Sequence, residues 1–230
     1  MRYYAGFGLL LLGVLTFTQL SVGAKRVPPP NLEVVASSAL PPQALLPAQD
    51  LLLYSNHFTH AWLYLEQEHG ARLIVLNVSE PSKIRLAADI PTGLQKPYDL
   101  VLVRHKHYAI VRFRDGSGQM LLNLSHPRAP KLVPAPANLP VATLPQGNWE
   151  SPDIELRTVG GIAGEGQDIQ VIEPGATPKL IANISHVTRQ TYRQETGTLF
   201  LLGDHRLTIV RTHSTELDWE LSFVDDESQD

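Results

Sequence analysis

A unit of 46 to 48 residues recurs along the chain, and no other feature restricts its folding so strongly. In three segments a glycine turn leads into a short apolar run that closes in a polar, proline-containing turn. The first runs from Gly70 through Leu73-Ile74-Val75-Leu76-Asn77-Val78-Ser79-Glu80 to Pro81. The second runs from Gly118 through Met120-Leu121-Leu122-Asn123-Leu124-Ser125-His126 to Pro127, and the third from Gly166 through Ile169-Gln170-Val171-Ile172-Glu173 to Pro174. Pro81 and Pro127 lie 46 residues apart, and Lys131 and Lys179 lie 48 apart. A fourth segment, Gly203 through Leu207-Thr208-Ile209-Val210, keeps the turn and the run without the prolines.

Other runs recur at fixed offsets from these. Ahead of the glycine turn, Asp50-Leu51-Leu52-Leu53 then Ala61-Trp62-Leu63-Tyr64-Leu65 corresponds to Asp99-Leu100-Val101-Leu102 then Ala109-Ile110-Val111-Arg112-Phe113. Asp153-Ile154-Glu155-Leu156 and Leu199-Phe200-Leu201-Leu202 keep parts of that pair. Behind it comes a fourth run: Ile84 to Ile90, Leu132 to Leu139, Leu180 to Val187 and Trp219 to Val224. Leu32-Glu33-Val34-Val35 resembles this fourth run and stands ahead of the first unit. Each run is short, rich in Val, Ile, Leu and aromatics, and bounded by Gly, Pro, Asn or Asp, which is how strands read. After the N-terminal apolar stretch, no segment of about 12 residues carries a 3.6-residue apolar period.

Four strands per repeat is the arithmetic of a β-propeller blade, which must stack on neighbours because a lone blade cannot bury both faces. The expected fold is therefore all-β: a small propeller-like repeat of about four units over residues 50–224, either a small ring or an open or incomplete one. The rival is a β-sandwich, which accounts for short strands but not for the repeated offset. Leu73 to Pro81, and still more Leu121-Leu122-Asn123-Leu124-Ser125-His126-Pro127-Arg128-Ala129-Pro130, resemble the LVIVD repeat, a propeller unit of surface and exported proteins. Asn77 and Asn123 stand where that repeat usually has Asp, and Glu173 stands near it in the third unit. The resemblance extends from Asp50 to Leu180 and implies a fold without implying an activity.

Residues 1–24 read as a secretion signal: Arg2, then an uncharged apolar run from Phe7 to Leu20, then small residues at Val22-Gly23-Ala24. The alternative is an uncleaved anchor, since Tyr4 to Val22 approaches the ~20 apolar residues that span a bilayer. Cleavage leaves a chain whose 18 Lys+Arg face 23 Asp+Glu, with both signs scattered, which argues against nucleic acid and anionic membrane surfaces as partners. Cys is absent, so an exported domain is held by packing and backbone pairing alone. Residues 25–49, with Pro28-Pro29-Pro30, Pro41-Pro42 and Pro47, read as an extended tether with a leading strand, and residues 225–230 as a solvated acidic tail.

Candidate chemistry is sparse. His105 and His107 share a face of a strand at their spacing of two, and with Asp115 as third donor they make the available metal set. His57 and His60 stand one unit earlier, with His57 and His105 48 residues apart. The competing reading, which is favoured, places both pairs at exposed hairpin tips. Gly160-Gly161-Ile162-Ala163-Gly164-Glu165 has the glycine content of a phosphate loop but is followed by a strand rather than a helix, so it reads as an inter-strand binding loop. Asn77-Val78-Ser79, Asn123-Leu124-Ser125 and Asn183-Ile184-Ser185 are glycosylation sequons, two of which coincide with the repeat's own turn. No hydrolase or metalloprotease motif is present, and no cofactor is called for. The expectation is an exported, non-enzymatic binding or scaffold protein of the periplasm, envelope or exterior. Its inter-strand loops, with His57, His60, Gly160, Gly161, Gly164 and Glu165 among them, would meet a protein or cell-surface ligand. The alternative is an enzyme or metal-dependent binder with its site at the central opening.

Overall fold

The computed structural model describes residues 31–56, 59–103, 107–136, 151–162 and 165–227. The first repeat unit forms an antiparallel four-stranded meander: β2 (Ala48–Asn56), β3 (His60–Gln67), β4 (Arg72–Asn77) and β5 (Arg85–Pro91), after the short β1 (Leu32–Val34). The second unit repeats it as β6 (Tyr98–Leu102), β7 (Tyr108–Phe113), β8 (Gln119–Asn123) and β9 (Lys131–Pro134). The remaining strands are β10 (Glu155–Ile162), β11 (Gly166–Glu173), β12 (Lys179–Arg193), β13 (Thr198–Gly203) and β14 (Arg206–Thr212), followed by helix α1 (His213–Glu227). They join β1 in one six-stranded sheet of order β1-β14-β13-β12-β11-β10. Among the described residues no helix is long and apolar enough to cross a membrane.

Glycine sets the first unit's central turn. Gly70 has φ +90°, and a Cβ there would sit 2.0 Å from the Lys96 carbonyl oxygen, so no other residue fits. The apolar runs then pack in layers. The β3 residues Ala61, Leu63 and Leu65 join Ile74, Leu76, Phe200, Leu202 and Ile209 on one face. Trp62 and Tyr64, on the other face, join Val75, Leu100, Val111 and Leu122. The first sheet is thus covered on both faces, which is why Leu73-Ile74-Val75-Leu76 is an unbroken apolar run rather than an alternating one. A third cluster unites Leu32, Ile169, Val171, Leu199 and Val210, drawn from strands spread across the six-stranded sheet. That sheet is therefore curled into a half-barrel around its own core.

The fold is all-β with one helix, but the third and fourth units do not form separate sheets. β12 is 15 residues long; its first part pairs with β11 and its last part with β13, so it closes one unit and opens the next. The run Asp153 to Leu156, matched in sequence to the first strand of a unit, leads into β10, which pairs with β11 and so holds the second place. The expected fourth run, Trp219 to Val224, is helical and lies within α1. Its place beside β14 is taken by β1, with Leu32 opposite Thr212 and Val34 opposite Val210. Asn31 explains why the chain turns helical there: its carbonyl accepts the His213 amide (2.8 Å) and its Oδ1 the Ser214 amide (2.9 Å). These two bonds satisfy donors that open the helix. The segment read as a tether holds two 3-10 turns, at Ser37–Ala39 and Pro42–Leu45, and the helix runs into the expected tail as far as Glu227.

Val75 and Leu122 are 0% and 1% exposed in the layer between the first two sheets. Val75→Asp or Leu122→Asp should cost about 4 kcal/mol or more, because each buries a charge without a partner. His126→Ala, at an exposed turn, should change stability by less than about 0.5 kcal/mol. Urea unfolding followed by circular dichroism measures both, and a mild effect of either Asp variant would contradict the layered packing.

Candidate functional site

Because both meanders are antiparallel, the β2–β3, β4–β5, β6–β7 and β8–β9 connections emerge at one end of their sheets. Four rings form a row there. His60 stacks on Trp62 (centroids 5.8 Å, 13°), Trp62 on Tyr54 (6.1 Å, 26°), and Tyr54 meets the edge of His107 (6.3 Å, 75°). Nδ1 of His60 lies 2.7 Å from Thr59 Oγ1, and Nδ1 of His107 lies 2.5 Å from the Tyr54 hydroxyl. The row crosses from the first sheet to the second, so one histidine from each of the two sequence pairs lies on one surface. Two clefts open nearby. One, of about 280 Å³, is lined by Thr59, His60, Asn77, Ser79, Glu80, Arg128 and Trp219. The other, of about 420 Å³, is lined by Asn123, His126, Ala129 and Lys131.

The remaining sequence candidates are placed elsewhere. Asp115 follows β7 at its far end, where it pairs with Lys96 (2.9 Å) and accepts the Ser117 amide (2.8 Å). The length of β7, roughly 20 Å at ~3.3 Å per residue, separates it from His107. These two do not meet in one coordination sphere. Among the described residues no three His, Asp or Glu side chains gather as a metal-binding group. His57, His105 and Gly164 lie outside the described residues. Gly160 and Gly161 are paired strand residues of β10, opposite Asp168 and Gln167, rather than a loop. Gly161 has φ +93°, and its absent side chain leaves room for the Gly166 carbonyl, so the glycines serve a tight hairpin. Glu165 closes that hairpin through its amide to the Ile162 carbonyl (3.0 Å). At the sequons, Asn77 Oδ1 accepts the Ser79 amide (3.0 Å) and Asn123 Oδ1 the Ser125 amide (2.9 Å), each fastening a strand-end turn.

The convergence of charge lies inside. Asp50 is the second paired residue of β2, opposite Glu66; Asp99 holds the same place in β6, opposite Arg112, and Arg189 in the pairing of β12 with β13, opposite Leu202. Arg189 Nε donates to Asp50 Oδ1 (2.6 Å) and Nη2 to Asp99 Oδ1 (2.8 Å). Asp99 also accepts Arg112 (2.8 Å) and Arg114 (2.9 Å), and Asp50 accepts the Leu100 amide (2.5 Å). Burial pushes the Asp50 carboxyl up from its ordinary range, and the Arg189 charge opposes this. Burial acts on Asp99 in the same sense, but the bonds from Arg112 and Arg114 outweigh it and hold that carboxyl below its ordinary range. Glu66 is fully buried with neither carboxylate oxygen hydrogen-bonded, and burial raises it to about 7. The contact between the three sheets is thus spanned by an ion-pair network.

A second buried cation ties the loop end together. Arg193, 1% exposed, donates from Nη1 to the Val78 and Ser79 carbonyls (2.9 and 2.7 Å) and lies 5.3 Å from the Trp219 ring centre. The β4–β5 turn, β12 and α1 therefore meet at one guanidinium, which sets the floor of the cleft at Ser79 and Trp219. No protein-family model matches the chain, and no curated protein matches it.

Arg189→Ala should destabilise by about 3 kcal/mol, because it leaves the buried Asp50 carboxylate without its cation. Adding Asp50→Asn to that variant should recover about 1 kcal/mol or more by removing the stranded charge. A double-mutant cycle in urea is the measurement. Strict additivity of the two substitutions would show that the bridge carries no coupling.

Proposed function

We propose that the chain is an exported, non-enzymatic binding or scaffold protein built as a four-unit, propeller-like repeat of the LVIVD type. In this reading the third and fourth units share β12, and β1 supplies the fourth unit's outer strand. The observation that carries the binding role is the division of polar groups between interior and surface. The titratable side chains that converge, Asp50, Asp99, Arg112, Arg114 and Arg189, are spent on holding sheets together. The two clefts at the loop end offer instead two imidazoles, amides, hydroxyls, the Glu80 carboxylate, the Lys131 amine and the Arg128 guanidinium, spread over turns of two sheets. Such a surface recognises a ligand by many weak polar and ring contacts rather than by concentrating an acid, a base and a nucleophile at one atom. The ligand is a protein or other component of the cell surface. Export through residues 1–24 places the protein in the periplasm, the envelope or the exterior.

Two measurements test this. Protein recovered from its own cells should come from an envelope or secreted fraction and begin at or near Lys25. Intact Met1 in a membrane pellet would assign the N-terminus as an anchor, and a full-length cytosolic protein would overturn export. Labelled protein should also bind purified cell envelopes saturably. His60→Ala combined with Arg128→Ala should weaken that binding at least tenfold, about 1.4 kcal/mol. Lys96→Ala with Asp115→Ala, at the opposite end, should leave it unchanged, and equal losses from both pairs would refute the loop-end surface.

A further inference from the structure

Glu66 is the one member of the central cluster that the network leaves out. It lies on β3 opposite Asp50, on the face turned toward the second sheet, with no solvent exposure. Arg114 directs its hydrogen bonds to Asp99 and the Gln49 carbonyl, and Arg189 to Asp50, Asp99 and the Thr188 carbonyl. No guanidinium hydrogen bond reaches Glu66. The Gly70 amide opposes the rise in part, without a hydrogen bond to either Glu66 oxygen. The charged groups that act most on Glu66 come from the seam between the first two sheets: Arg114 just after β7, Asp50 from β2 and Asp99 from β6, with the Tyr98 ring of β6 beside them. Arg112 and Arg189 stand behind Asp99 and Asp50.

We propose that Glu66 is a proton-operated latch on this seam, which is closed while Glu66 holds a proton and loosens when the proton leaves. The neutral acid adds no charge beside Asp50 and carries an O–H that can donate to an acceptor. The anion adds a third carboxylate to a buried cluster whose guanidinium bonds are already committed to the other two. Relief requires admitting water or drawing Arg114 away from Gln49 and Asp99, and either loosens the contacts that cross the seam. Those contacts are the Leu100 amide to Asp50 and the Arg114 guanidinium to the Gln49 carbonyl. The direction follows from linkage: a carboxyl raised to about 7 when folded binds its proton more tightly than an exposed one at about 4.5. Its contribution therefore favours the closed seam at mildly acidic pH and is lost as pH rises through neutrality.

Hydrogen exchange of the Leu100 amide, normalised for the intrinsic chemical rate, tests this on the whole protein. Between about pH 5.5 and about pH 8 the opening equilibrium at this amide should rise about 30-fold in the wild type. In Glu66→Gln it should stay flat. An equal rise in Glu66→Gln, or no rise in the wild type, overturns the latch. If Glu66→Gln fails to fold, carbon NMR of the wild type labelled at glutamate carboxyls decides. One carboxyl titrating near neutrality supports the proposal, and a spectrum in which every glutamate titrates below about pH 5 overturns it.

Discussion

One guanidinium connects all three sheets. Arg189 reaches from the six-stranded sheet to Asp50 of the first and Asp99 of the second, and Asp99 passes the link on to Arg112 and Arg114. Without disulfides, much of the contact between the sheets is through apolar layers, which are permissive about sliding and rotation. A buried bidentate contact is not: it has one geometry and a steep penalty for missing it. Such a network adds little net stability, since desolvation offsets most of the attraction. Its effect is to fix the relative register of packed sheets whose repeats would tolerate more than one.

The first and last strands are also tied together: β1 pairs with β14, and the backbone and side chain of Asn31 take up the first amides of α1. Terminal strands are where fraying begins, so pairing the first strand with the last makes loss of either end costly to the other. α1 returns Trp219 to Arg193, and Arg193 holds the β4–β5 turn of the first sheet. The loop-end cleft is consequently walled by residues from distant parts of the sequence, and its shape depends on how the first sheet, β12 and α1 meet. A binding surface of this kind is rigid where it meets the sheets and variable only at its turn tips.

Much of this was legible in the chain. The 46-residue offset located every strand of the first two sheets, because both units keep their glycine turns and their layers read as apolar runs. Asp50 and Asp99 were visible as the first residue of matching runs, a repeated acid where an apolar residue would be expected. The partner of these acids comes from a unit with a different pattern, so the repeated acid alone does not reveal an ion pair. Arg189 could not be aligned with them while Leu180 to Val187 was treated as the end of a unit, since nothing in the residues marks that strand as continuing for 15. Trp219-Glu220-Leu221 alternates like a strand, and only the capping contacts from Asn31, 183 residues away, decide for a helix. The histidines were legible as equivalent positions, but not their engagement with Tyr54 and Trp62, which depends on how the two sheets face each other.

The irregularity that misled the sequence reading is also what builds the centre. In β12 the pairing with β13 passes from Val187 to Arg189 without a partner for Thr188, a bulge that bends the strand and changes which side chains point inward. His186, just before it, has φ +51°, and beside it Gly166 at φ +138° admits the imidazole where a Cβ would lie 2.8 Å from its ring. An unbroken strand would run straight through both units and keep the alternation of its first half. The bulge lets one strand serve as the outer edge of the third unit and the inner edge of the fourth, and it delivers Arg189 between Asp50 and Asp99. The joining of the last two units and the charge bridge at the core are two consequences of one extra residue.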